Sequence, residues 1–208
     1  VKLVPVLLLL SLSVQARDLQ EVLRAVEQRY NKASTLEAQF EQRYLAQGRP
    51  RRAESGTLSL RKPGRMRWQY TQPSGKLFIC DGKWIWFYSP AENRAERAPL
   101  KEADDFRAPL AFLLGRLDFR RTFGDFELRE SGADSVIIAL PKSDRLPYTR
   151  VEFQIAPDNS IRRLLVRGVD GADMEFLFTG ERLNVPVSDS AFRFTPPAGA
   201  EIVDAAER

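Results

Sequence analysis

Between Asp18 and Lys32 the apolar residues Leu19, Val22, Leu23, Val26 and Tyr30 recur at helical spacing, forming one stripe on a charged segment. Asp18 stands before the stripe as an N-cap and Glu21 follows three residues on, so the pattern predicts a capping box and a helix to about Lys32. From Leu36 the period becomes two. Leu36, Ala38, Phe40, Gln42 and Tyr44 alternate with mostly polar neighbours, a turn is expected across "AQGRPRR", and Leu58 and Leu60 continue the alternation. Met66, Trp68 and Tyr70 alternate with Arg65, Arg67 and Gln69, which predicts a strand with one buried face.

The stretch "DGKWIWFYSP" breaks this rhythm, because Trp84, Ile85, Trp86, Phe87 and Tyr88 are all large and apolar. Asp81-Gly82 between two apolar runs is a hairpin signal. Read as a two-residue loop, it pairs Ile79 with Trp84 and Leu77 with Trp86. That places Leu77, Ile79, Trp84, Trp86 and Tyr88 on one face. A preceding loop over residues 72–75 would pair Tyr70 with Leu77 and Trp68 with Ile79. Three strands would then pool their aromatic bulk on one floor, leaving Ile85 and Phe87 on the other side without an explanation.

"DDFRAPLAFLLG" interrupts the strands. Pro109 suits a first helical turn and Gly115 the position past its end, while Leu110 to Leu114 are apolar all round, so this short helix must be buried or cover an apolar surface. Further strands are expected at "VIIAL" (136–140), "TRVEFQI" (149–155), "IRRLLVRGV" (161–169), "MEFLF" (174–178) and "AFRF" (191–194), separated by short turns. The pattern predicts one strongly curved or half-closed antiparallel sheet with a helix before it and short helices inserted midway. Whether helices and floor form a packed core or enclose an apolar pocket stays open at this point.

Composition narrows the function. Lys2 followed by "LVPVLLLLSLSV" and ending at Ala16 has the layout of a signal peptide, so residues 1–16 are expected to be removed and 17–208 to form a single domain. No Cys follows that site, and the mature chain is expected to be exported, soluble and without a lipid anchor. The formal net charge is only +4 and acidic residues are interspersed with basic ones, a poor footprint for nucleic acid. Cys80 is the single cysteine, so no intrachain disulfide is expected. The chain has no His, which removes Ser–His–Asp and Cys–His nucleophiles and the usual His-containing zinc sites. "SLRK" at 59–62 matches a serine-enzyme spacing, but it lies in a strand pattern and no K-T-G follows. No catalytic residue, metal or cofactor is expected.

"RKPGRMRWQYTQP", "DGKWIWFYSP", "APLAFLLG" and "FRFTPPAGAEIV", in that order, resemble the periplasmic outer-membrane lipoprotein carrier family, LolA, over about 17–205. Each motif alone is weak; the ordered set is specific. The resemblance implies an α+β fold, an unclosed antiparallel β half-barrel with short helices forming a lid over an apolar cavity. It implies a periplasmic, non-enzymatic carrier that takes acylated lipoproteins from an inner-membrane ABC transporter (LolCDE-like) to an outer-membrane acceptor (LolB-like), acting as a monomer. The expected cavity wall is Met66, Trp68, Tyr70, Leu77, Ile79, Trp84 and Trp86, and the expected lid Leu110, Leu113, Leu114, Val22 and Val26. The family's lid is held by a basic residue just before a proline; here that is Lys62, where some members have Arg, and a point charge replaces a planar fork. A carrier of another lipid, or a lipid-sensing regulatory module of the same fold, is the alternative reading.

Overall fold

The computed structural model of the chain describes residues 17–46, 48–100 and 117–204. The leader expected at residues 1–16 and the apolar segment holding Leu110, Leu113 and Leu114 lie outside the described residues. Helix α1 spans Leu19–Lys32. The Asp18 carboxylate caps it, accepting from the backbone N–H groups of Gln20 and Glu21 at 2.8 and 3.1 Å. Among the described residues the Glu21 side chain makes no return bond, so the cap is one-sided. Val22 and Val26 are fully buried, and Leu23 and Tyr30 nearly so, because the stripe lies on the sheet.

The strands are β1 (Thr35–Ala46), β2 (Arg49–Arg61), β3 (Arg65–Gln72), β4 (Leu77–Asp81), β5 (Trp84–Ser89) and β6 (Arg94–Pro99). After the short helix α2 (Phe119–Thr122) come β7 (Phe123–Ser131), β8 (Asp134–Pro141), β9 (Tyr148–Ile155), β10 (Ile161–Gly168), β11 (Asp173–Leu183) and β12 (Glu201–Asp204). Among the described residues they form one 12-stranded sheet in the order β12-β6-β5-β4-β3-β2-β1-β11-β10-β9-β8-β7. β12 and β7 lie at opposite ends of that order, so the sheet is unclosed. It is also mixed, because β12 joins β6 in parallel.

Several local expectations are corrected. The turn across "AQGRPRR" contracts, since Arg49 and Pro50 already pair with Ala46 and Leu45. Backbone pairing extends the hairpin there although its side chains are charged. "AFRF" is not a strand; residues Asp189–Phe192 form a 3-10 turn. β6 and β7 escape the sequence pattern, because Arg and Glu dilute their alternation.

The central registers differ most. β4 and β5 pair Cys80 with Ile85, Ile79 with Trp86 and Leu77 with Tyr88, two residues from the expected match. The Asp81 carboxylate accepts from the N–H groups of Lys83 and Trp84 at 2.8 and 2.7 Å, which builds a wider turn than a two-residue loop. A shift of two leaves the faces unchanged. Between β3 and β4 the shift is one: Trp68 pairs with Phe78 and Met66 with Cys80. A one-residue slip turns every side chain over. Leu77, Ile79, Trp84 and Trp86 therefore lie on the face opposite Met66, Trp68 and Tyr70, and the single aromatic floor becomes two.

Each floor is covered. On the inner face, toward α1, Met66, Trp68, Tyr70, Cys80 and Ile85 join one core with Phe40, Phe176, Phe153 and the α1 stripe. On the outer face, residues that follow β11 cross the sheet: Phe192 is 1% exposed, and Phe194 packs on Trp86 and Tyr88 at 5.6 and 5.7 Å between ring centroids. This is why β5 carries aromatic bulk on both sides.

Candidate functional site

The inner face is apolar from one end of the sheet toward the other. Register places Ile137 beside Phe153, Phe153 beside Leu164, and Leu164 beside Phe176. It then sets Phe178 against Phe40 and Leu58 against Trp68. Trp68 is its centre, with its ring 4.6 Å from Phe40 and 5.5 Å from Phe176 in edge-on contacts. Its indole N–H points to the Met66 sulfur at 2.9 Å. The outer face of β1 and β9–β11 is different: Arg163 meets Glu175 at 2.5 Å and Glu152 at 3.6 Å, and Arg43 reaches Glu175 at 3.3 Å. This part of the sheet is thus greasy inside and ion-paired outside.

Polar contacts add to the buried apolar stripe in fastening helix α1 to this face. Lys62, just after β2, donates from Nζ to the Tyr30 carbonyl at 2.6 Å. That carbonyl belongs to the last helical turn, where no intrahelical donor remains. Burial holds the Lys62 ammonium below the ordinary lysine value. Tyr30, Ala33, Thr35, Leu36, Leu60 and Lys62 line a small recess at this contact. The Tyr30 hydroxyl donates to Glu181 at 2.7 Å and accepts from the Ile161 N–H at 2.8 Å. Arg29 reaches the same Glu181 at 2.7 Å. On the other side Asn31 exchanges bonds with the backbone of Leu117 at 2.8 and 2.7 Å, and Glu27 accepts from the Phe119 N–H at 2.9 Å.

Of the residues expected at the site, the structure brings Met66, Trp68, Tyr70, Val22 and Val26 together on the inner face and Lys62 to its rim. Leu77, Ile79, Trp84 and Trp86 are on the outer face. There Arg97 lies 4.5 Å above the Trp84 ring and pairs with Asp204 at 2.7 Å. Cys80 is fully buried on the inner face, its thiol donating to the Gly64 carbonyl at 2.9 Å; burial pushes its pKa up.

Sequence reasoning missed the Tyr30–Glu181 clasp, which joins residues far apart in the chain, and a polar island on the inner wall. In that island Lys76 meets Glu54 at 2.5 Å, and the Tyr70 hydroxyl donates to Gln42 at 2.8 Å. The signal was present: Glu54 has the same strand parity as the buried Leu58 and Leu60.

The profile of the family described as "Outer membrane lipoprotein carrier protein LolA" matches residues 31–195. The chain belongs to the LolA family. It is 27% identical over 175 residues to an outer-membrane lipoprotein carrier protein of Chromobacterium violaceum, covering 82% of each chain. It is 28% identical over 174 residues to the protein of that name from Nitrosomonas europaea, covering 83% of this chain and 84% of the relative. In fold it is similar to an uncharacterized conserved protein of Thermus thermophilus, with a TM-score of 0.54 at 14% identity over 89% of this chain and 98% of that one. LolA proteins bind and transport; they are not enzymes, and membership assigns this chain a lipoprotein-carrier role. No helix among the described residues is long and apolar enough to cross a membrane.

Proposed function

We propose that this protein works in the periplasm, accepts acylated lipoproteins from an inner-membrane ABC transporter, shields their acyl chains, and delivers them to an outer-membrane acceptor. Each acyl CH₂ left in water costs about 0.8 kcal/mol, so a soluble carrier needs a covered apolar face that opens. The observation that carries the reading is the inner face itself, apolar across many strands and capped by α1, whose last turn is joined to the sheet by Lys62 and by the Tyr30–Glu181 contact. The wall is Met66, Trp68 and Tyr70, continued by Phe78 and Ile85. Val22 and Val26 are assigned to the lid, and the same role is proposed for Leu110, Leu113 and Leu114, which lie outside the described residues. Lys62 is the latch, and one chain carries one cargo molecule.

The reading is tested with transporter-containing membranes that have accumulated an outer-membrane-directed lipoprotein. Purified protein and ATP are added, and the soluble fraction is assayed. A soluble one-to-one complex is expected, and its transfer to acceptor-bearing vesicles completes the cycle. Absence of release with a competent transporter, together with tight binding of a fluorescent acyl probe, would replace the reading with another lipid cargo or a sensing role.

A further inference from the structure

The polar island lies on the wall that the proposed acyl chains would touch. Glu54 is 1% exposed, Gln42 4% and Lys76 9%. The Lys76 ammonium sits 4.3 Å from the Tyr70 ring centre and 5.5 Å from that of Phe87. Gln42 donates to the Tyr44 hydroxyl at 2.7 Å, and Arg52 pairs with the second Glu54 oxygen. Nothing in strand pairing requires these side chains: the same face carries Leu58 and Leu60 further along β2. Replacing a buried ion pair with packed apolar residues is often neutral or stabilising, so stability does not account for it.

Its donors exceed its acceptors. An ammonium has three N–H groups, and the described residues offer Lys76 one side-chain acceptor, Glu54. One carboxylate faces two cations, the buried Lys76 and an Arg52 that is largely exposed at the island's edge. Glu54 lies seven residues along β2 from Arg61, beside the Lys62 latch, so at about 3.3 Å per residue Glu54 and Arg61 are roughly 23 Å apart. That is comparable to an extended acyl chain, and the stretch between them is lined by Leu58, Leu60, Met66 and Trp68.

Resting on the carrier reading, we propose that Lys76, positioned by Glu54 and backed by Gln42 and Tyr44, is a subsite for the oxygen-bearing head of an acyl chain. The ligand atom is an acyl carbonyl or carboxylate oxygen. The chain then lies along the apolar wall toward the latch, and the island fixes its direction.

The test uses the full folded chain and three probes: a fluorescent polyene fatty acid, its methyl ester, and diphenylhexatriene, which has no polar head. In Lys76→Met and in the double variant Glu54→Gln/Lys76→Met, headless-probe binding should stay within about twofold. Binding of the acid and ester should weaken about tenfold, the scale of one charge-assisted hydrogen bond. Loss for the acid alone assigns the subsite to free carboxylates; loss for both assigns it to acyl carbonyls generally. Equal change for all three probes, or none, overturns the subsite. If the unaltered protein binds no probe, the carrier reading falls as well. A measurement without variants stands beside these: the carbonyl stretch of isotope-labelled methyl ester bound to the unaltered protein should lie below its position in alkane. An unshifted ester band confines the subsite to free carboxylates, and overturns the proposal if the variants leave binding of the acid unchanged as well.

Discussion

At Lys62 two effects oppose each other. Burial disfavours its charge, while the bond to Tyr30 satisfies a helix-end carbonyl. Lys62→Met removes both, so its unfolding free energy should stay within about 1 kcal/mol of the parent in urea titrations, while cargo transfer changes. Normal transfer by the variant would reduce Lys62 to a packing residue. Trp68 is the contrasting case, 4% exposed and wedged among Phe40, Phe176 and Phe178. Trp68→Ala should lose about 3–5 kcal/mol by the same titration. Gly56 tests the close approach of β2 to β3: an added Cβ would overlap the Gln69 carbonyl, so Gly56→Ala should be strongly destabilising although both residues are small.

At the scale of elements, α1 and the segment after β11 cover opposite faces by different means. α1 combines an apolar stripe with polar clasps, a combination suited to release and return. Tyr30→Phe deletes the hydroxyl shared by Glu181 and Ile161. It should cost about 1–3 kcal/mol and raise amide exchange in α1 before the sheet; uniform exchange would show that helix and sheet open together. The covering segment after β11 is held chiefly by Phe192 and Phe194, with Arg61 and Arg65 both reaching Asp189. Phe192→Ala should cost about 3–5 kcal/mol and uncover apolar outer surface on β3 and β4, which the 189–192 turn covers, detectable as dye binding.

For the whole molecule, acid sensitivity should come from the ion-paired outer face. Asp173 is held below its ordinary value of 3.8, first by hydrogen bonding from Arg167 and then by that charge; Arg97 does the same for Asp204. A depressed folded value means the stabilisation is present above the ordinary carboxylate range and fades as pH falls through the folded values. Asp173 is itself buried but its Arg167 partner is half-exposed, and Arg97 and Asp204 are both partly exposed, so solvent and salt screen each pair and each contributes little. The expected result is a modest fall in urea midpoint below about pH 4, flatter in Asp173→Asn. A midpoint indifferent to pH down to strongly acid conditions would remove these pairs from the account.

Much of this protein follows from its own residue order. The α1 stripe, the alternation in β1 and β3 and the apolar character of β4 and β5 are local, and period 3.6 or 2 declares them without knowledge of neighbours. The ordered motifs from Arg61 to Val203 were enough to indicate the family. Which face meets which was decided only in three dimensions. Alternation groups Leu77 with Ile79, and Met66 with Trp68, but it does not say how the strands slide past one another. A single residue in the turn before β4 sends Leu77, Ile79, Trp84 and Trp86 to the side opposite Trp68. Both sides of β5 are apolar, so hydrophobicity could not choose between them; the cover after β11 made the second apolar face stable. The Glu54–Lys76 island is likewise a product of register, because its members become neighbours only when β1, β2 and β3 are paired.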